Sequence, residues 1–352
     1  MNFFDKTTIH NIRSHSARAD EFKRIPNEWL KLIYEKKYFK LFVPVKDGGL
    51  MMPLPQALRL FDEAANIDGN FGWAITIGSG GGYFYAYMQP DTAKKVFKGA
   101  RSVIAGGGKP AQQVQKVKGG YKVTGQWQYA SGASYATSFT ANAQLEKNKV
   151  IAVTFAAKQA SIKEDWNAIG MKATESNSFS TENAFVANEM VFNLASTKLF
   201  YEHPLYHYPF LQFAEASFAA LSLGLGRHFF EEANILLNEN KKNWSVIKGR
   251  YEFVKLFVSK KESEFNKTSN QFYKIADASW GEILKNGKLS NKTQKQVSEV
   301  SKRSSRFVLN GMDAVIQYMG MGAVMENSAV NKIWRDAHTA CQHVLLIPYS
   351  KI

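Results

Sequence analysis

The chain is 352 residues long, 45% hydrophobic and 13% aromatic, which supplies a large core and one or two structural units. Its 45 Lys and Arg against 30 Asp and Glu give a formal charge of +15, but the lysines are dispersed, without an Arg-rich arm, zinc-finger spacing or RNP-like strand, so nucleic acid is not the expected partner. The single cysteine, Cys341, excludes an intrachain disulfide, and the absence of a signal-peptide h-region or a long apolar run points to a soluble, cytoplasmic protein with no membrane span.

Residues 1–100 read as a helical domain. "ADEFKRIPNEWLKLIYEKKYF" spaces Phe22, Ile25, Trp29, Leu32 and Ile33 along one helical face. "FVPVKDGG" interrupts the period, and "PLPQALRLFDEAANID" starts a new helix behind its prolines. "NFGWAITIGSGGGYFYAYM" is apolar almost all round and predicts a buried helix. Gly80, Gly81 and Gly82 in its middle predict a close approach by another chain or a ligand. Trp73 and Gly81 are therefore candidates for the wall of a substrate site.

Residues 101–195 change texture. "GGYKVTGQWQYASG" alternates Tyr121, Val123, Trp127 and Tyr129 with polar residues, "KVIAVTFAA" is a short β-branched run, and "SFSTENAFVANEMVF" suggests two more strands. This is a β-domain, expected to be antiparallel, because no strand is followed by a crossover helix. The glycines at 106–108 miss the dinucleotide fingerprint spacing. From 196 to 352 the helical period returns. "FLQFAEASFAALSLGLGRHFFEEANILLNEN" leads, two amphipathic stretches follow around 250–285 and 291–320 with "KNGKLS" as the turn, and a fourth ends the set. That pattern predicts a four-helix bundle. The fold class is α+β.

The last predicted helix carries "WRDAHTACQHV". His338 and His343 are five apart and would point about 140° apart on a helix, so they do not share a metal. No other metal spacing occurs, and no metal is expected. Asp336 and His343, seven apart, would share one face. A lone helical histidine is either a satisfied polar side chain or a group that moves a proton near neutral pH. The motif alone leaves both readings open.

The order helices, β-domain, bundle, with "VPVKDGG", "GGYKVTGQWQYASG", "DWNAIGMKATESNSF" and "KIWRDAHTACQH", resembles the acyl-CoA dehydrogenase superfamily from about Phe22 to His343. More narrowly it is similar to the reduced-flavin-dependent monooxygenases of two-component systems. The resemblance implies that Tyr129 packs on an isoalloxazine ring and that the Ser131 hydroxyl bonds near flavin N5 or O4. Two residues apart on a strand, these would face the same side. It further implies that Trp166, Lys172 and Ser176 wall the flavin site, with Lys172 where an arginine is common, and that Arg335 contacts the cofactor. His343 matches the end of an R-D-x-H-x-x-x-x-H signature, which places it beside flavin C4a, where it helps form or hold a hydroperoxide. Ser131 and His343 are thus the implied catalytic pair.

Dehydrogenases of the superfamily run from Arg-Asp to a Tyr-Glu-Gly-Thr segment, whereas this chain reads "HVLLIPYSKI" with no carboxylate after Asp336. Their flavin-gripping Arg-x-x-Phe-Gly appears here as "KGRYEFVKLF", with Arg250, Phe253 and Val254 in place of the glycine. The implied activity is monooxygenation of a small aromatic or heterocyclic substrate by loosely bound reduced FAD or FMN, supplied by a separate flavin reductase. One alternative is an acyl-CoA dehydrogenase using Glu215, which is either a desolvated base or a carboxylate paired to a lysine. The other is a non-catalytic homologue. A homotetramer is implied too, and the small residues Ala216, Ala219, Ala220, Gly224 and Gly226 suit either its interface or the interior of one bundle.

Overall fold

Prolines and caps cut the N-terminal segment into short helices in the computed structural model, which describes residues 2–108, 114–146, 149–196 and 198–349. Helix α1 (Lys6–Ser14) starts where the Asp5 carboxylate accepts from the Thr8 amide at 2.7 Å. Helices α2 (Ser16–Phe22) and α3 (Asn27–Glu35) replace the single helix that the periodicity suggested. Lys23 turns left-handed and Pro26 cannot continue a helix, so Phe22 falls off the shared face and stays 65% exposed.

Helix α4 (Leu54–Ile67) begins behind Pro53, and Asp68 caps α5 (Gly69–Gly80) by accepting from the amides of Asn70 and Phe71. As its composition predicted, α5 is buried nearly throughout. It does not run through the glycines, because Gly81–Tyr87 tightens into a 3-10 turn. A Cβ on Gly81 would lie 2.9 Å from the Ile104 side chain. The close approach expected of a ligand or second chain is made at Gly81 by the β-domain of the same chain. Helix α6 (Pro90–Phe97) closes this part.

Among the described residues the β-domain holds two four-stranded sheets. One is ordered β1 (Ile104–Gly107), β4 (Ser138–Glu146), β5 (Lys149–Ala156), β8 (Val191–Phe192); the other β2 (Gln115–Val117), β3 (Gly120–Ala130), β7 (Asn177–Ala187), β6 (Ser161–Lys163). Among the described residues every pairing is antiparallel except β1 with β4. That parallel pair departs from the expectation; the chain between its strands runs through β2 and β3 of the other sheet instead of a helix. Aromatic rings fill the space between the sheets, with Phe179 stacked 4.4 Å from Phe139 and 5.1 Å from Trp127.

The remaining chain forms α7 (Pro204–His207), α8 (Phe210–Glu239), α9 (Lys241–Trp244), α10 (Arg250–Asn286), α11 (Asn291–Ile316) and α12 (Ala329–Ala340). Helix α8 is the axis. A Cβ at Gly224 would stand 2.2 Å from the Asp62 carbonyl oxygen on α4, and one at Gly226 2.7 Å from the Phe265 ring on α10. The small-residue stripe is therefore the interior of one chain, and one apolar core runs from the N-terminal helices into this bundle. No helix among the described residues is long and apolar enough to cross a membrane.

Candidate active site

Strand β3 slips register between Trp127 and Ala130, and Tyr129 sits there with a left-handed φ of 63°. This bulge breaks the alternation on which the same-side argument rested. The Tyr129 ring points out, 62% exposed, while Ser131 lies beyond the strand in a turn and faces α5. Met171 and Glu175, on the facing segment, are also left-handed without being glycine. Such strain collects where function over-determines the backbone.

Between the two segments runs a chain of hydroxyls whose direction can be worked out. The Thr174 hydroxyl gives its only proton to the Met171 carbonyl at 2.9 Å. Ser176, 2.7 Å from Thr174, must then donate to it, and Ser131, 2.7 Å from Ser176, must donate in turn. The Trp73 indole N–H, a donor only, reaches the Ser131 oxygen at 2.9 Å. Ser131 is left with one lone pair and no proton. It is an acceptor. The Met171 carbonyl also takes the Trp166 indole N–H at 2.9 Å, and Trp166 meets Tyr129 edge-on at 6.4 Å.

Trp73 leads to the other half of the site. Its indole stacks on Phe218 of α8 at 5.5 Å, and Phe218 packs 4.2 Å from the His343 ring, itself 6.4 Å from Trp73. His343 is not on the last helix, which ends at Ala340, so it shares no helical face with Asp336. It instead caps a 3-10 turn by accepting the Leu345 amide on Nδ1. That bond places the proton of the neutral ring on Nε2. Burial lowers its pKa to about 4, so the imidazole is neutral at pH 7 rather than poised there. It is a donor.

Asp336 and Arg335 have a different task. Asp336 is fully buried, accepts the Met171 amide and pairs with Lys332 at 2.8 Å; Lys332 also pairs with Asp68 at 2.9 Å. Burial works against the Lys332 ammonium, but the two carboxylates outweigh it and raise its pKa. Arg335 donates to Asn331, to the Ile169 carbonyl and to Asp20, which also holds Lys172 at 3.3 Å. Arg335 and Lys172 thus clamp the β-domain loop to α12 and α2. A Cβ on Gly170 would come within 2.2 Å of the Arg335 backbone. His338 and Trp334 both donate to Asp313, at 2.8 and 2.7 Å, which is the satisfied-side-chain reading.

Glu215 is 1% exposed, pairs with Lys302 at 3.0 Å and accepts from Ser298. The lysine-paired reading is what the structure shows. Arg250 stacks over Trp244, and Val254 is buried. Among the described residues no group of three His, Cys, Asp or Glu side chains is placed to hold a metal ion. Sequence reasoning missed Thr174, the Met171 carbonyl and Phe218. Thr174 could have been found from its spacing to Ser176, whereas nothing distinguishes Phe218 from a core phenylalanine.

Residues 216–348 match the family model described as acyl-CoA dehydrogenase, C-terminal domain. An indole-3-acetate monooxygenase of Pseudomonas putida is 22% identical over 94% of this chain and 87% of its own length. The HsaA monooxygenase of Mycobacterium tuberculosis superposes with a TM-score of 0.87 at 17% identity, over 97% of this chain and 93% of its own. XiaF of a Streptomyces species, solved with FADH2 and glycerol, gives 0.83 at 16% identity, over 97% and 89%. The chain has the acyl-CoA dehydrogenase fold in the form shared by flavin-dependent monooxygenases, and the matched C-terminal domain carries Phe218 and His343.

Proposed function

We propose that this chain is the oxygenase component of a two-component flavin-dependent monooxygenase, oxidising a small aromatic or heterocyclic substrate with O2. One observation carries the reading: an acceptor, Ser131, and a neutral donor, His343, both lie beside Trp73, the one hydrogen-bonded to its indole N–H and the other with its ring 6.4 Å away. Reduced flavin presents an N5–H donor where oxidised flavin presents an acceptor, so the lone pair left on Ser131 fits the reduced form. When bound, the reduced isoalloxazine supplies the electrons that activate O2. The chain's own residues do the rest. Tyr129 and Trp166 offer rings to pack on, Ser131 orients by accepting, and His343 Nε2–H donates to an oxygen atom brought beside it. Trp73 and Phe218 exclude water. Thr174 and Ser176 position Ser131.

The reduced flavin, FAD or FMN, would be loosely held and delivered by a separate reductase. The dehydrogenase alternative is disfavoured because Glu215 is tied to Lys302. An apolar face on the bundle, where Phe253 stacks on Phe257 and meets Tyr318 beside Leu256 (72% exposed), supports a homo-oligomer, read as a tetramer. Light scattering after gel filtration tests that assembly. The free, buried Cys341 is consistent with a cytoplasmic location.

The test of function is anaerobic titration with photoreduced FMN and FAD, followed by mixing with oxygenated buffer. Saturable binding that favours the reduced over the oxidised forms, and reoxidation slower than that of free flavin, are expected. No binding, or reoxidation at the free rate, would remove the proposal.

A further inference from the structure

Helix α11 carries four cations on one side, Lys295, Lys302, Arg303 and Arg306, and they line a groove of about 690 Å³ with Phe307 and the C-terminal Tyr349. One acidic residue, Glu299, shares the lining, and it lies 3.8 Å from Lys295. Lys302 has Glu215 behind it. Arg303 and Arg306, three apart, have no carboxylate within ion-pair distance among the described residues. Like charges at that spacing repel and destabilise a helix unless an anion sits between them. Arg306 is anchored through the carbonyl of Cys341, and its Nε is buried without a partner. Its charge is fixed in place rather than free to find solvent.

The volume is that of a small-molecule site. Guanidinium groups bind carboxylates through paired hydrogen bonds, and the aromatic lining suits a ring. We propose that this groove binds an aromatic carboxylate, separately from the Ser131–His343 site. Helix α8 links the two, because Glu215, paired to the groove's Lys302, is three residues before Phe218, which packs on His343. The Arg306 bond to Cys341 ties the groove to the segment bearing His343. Binding in this groove needs no flavin chemistry and is independent of the proposed activity.

Calorimetric titration with phenylacetate, against its neutral counterpart phenylacetamide, tests the site. Phenylacetate should bind at least about tenfold more tightly, the worth of one charge-assisted hydrogen bond. Arg303→Ala should remove about that factor for the acid and leave the amide unchanged. Arg303→Lys should restore part of it, because charge returns without the fork. A saturating concentration of FMN should leave the phenylacetate affinity within twofold. Equal binding of acid and amide, an unaltered affinity in Arg303→Ala whose circular dichroism matches the parent, or displacement by FMN would each overturn the proposal.

Discussion

Two polar clusters join the same three parts of this molecule, and they differ in what they leave over. The first holds Asp68, Lys332 and Asp336, with Ser16 and the Met171 amide; it is buried, and one ammonium together with hydroxyl and amide donors gives both carboxylates partners. The second holds Trp73, Ser131, Ser176 and Thr174, with Phe218 and His343. It keeps an unused acceptor and an unused donor, beside the exposed Tyr129 and the left-handed backbone of Tyr129, Met171 and Glu175. A polar network that satisfies itself fixes a structure; one that stops short of that awaits a ligand. Both draw on one eleven-residue motif, whose Arg-Asp half clamps and whose terminal histidine faces the open cluster.

The sharpest way to break the comparison is to unbalance the closed cluster. Lys332→Met strands two buried carboxylates, and should lower stability by about 3–5 kcal/mol in urea unfolding. An effect under 1 kcal/mol would mean that the cluster is not the clamp described. Gly170→Ala attacks the same junction from the backbone side, since its Cβ would meet the Arg335 carbonyl carbon and oxygen at 2.2 Å. Neither chain can move a flexible end aside. A loss of about 3 kcal/mol is expected, read as a fall in melting temperature.

The architecture was legible because it is written in periods and punctuation. Helices α8, α10 and α11 follow apolar spacing and the "KNGKLS" turn, and β3 and β7 follow alternation. What failed was local. Pro26 divided a face that periodicity had joined, and the bulge at Tyr129 turned two residues of one strand to different sides. Alternation assumes unbroken register, and a bulge removes that assumption without changing composition. The site was half legible: Ser131, Ser176 and His343 entered through family resemblance, and Trp73 through its apolar helix. The protein partners of Arg335 and Lys172 were not legible, because charge in a motif does not say which way it points. The Ser131 polarity depends on a carbonyl, that of Met171, which no side-chain pattern encodes.

The open cluster is probed by its hydroxyls. Ser131→Ala deletes the free acceptor and should weaken reduced FMN about tenfold, with oxidised FMN little affected and stability within about 1 kcal/mol. Thr174→Val is subtler. It removes the acceptor that draws the Ser176 proton inward, so Ser176 can donate to Ser131 and release the Ser131 proton outward. The ratio of reduced to oxidised affinity should then shrink severalfold while both forms still bind, and Thr174→Ser should restore it. A ratio unchanged in Thr174→Val would show that the relay does not set the direction.

The smallest effect concerns protons. His343 has a folded pKa of about 4, lowered by burial from 6.5. Between those values the unfolded chain binds a proton that the folded chain refuses, so this residue's share of stability is complete above pH 6.5 and is lost as pH falls toward 4. His343→Asn keeps an acceptor for the Leu345 amide but cannot titrate. Acid unfolding by all other groups is common to both proteins, so their difference isolates the imidazole: the parent should lose stability more steeply than the variant between pH 6.5 and 4, and run parallel to it above. Curves parallel throughout would mean that the ring is solvated, and an imidazole that titrates near 6.5 would make reduced-flavin binding change across pH 6–7. A ring that stays neutral adds no pH dependence of its own, so the parent and His343→Asn should show reduced-flavin binding curves of the same shape between pH 6 and 7.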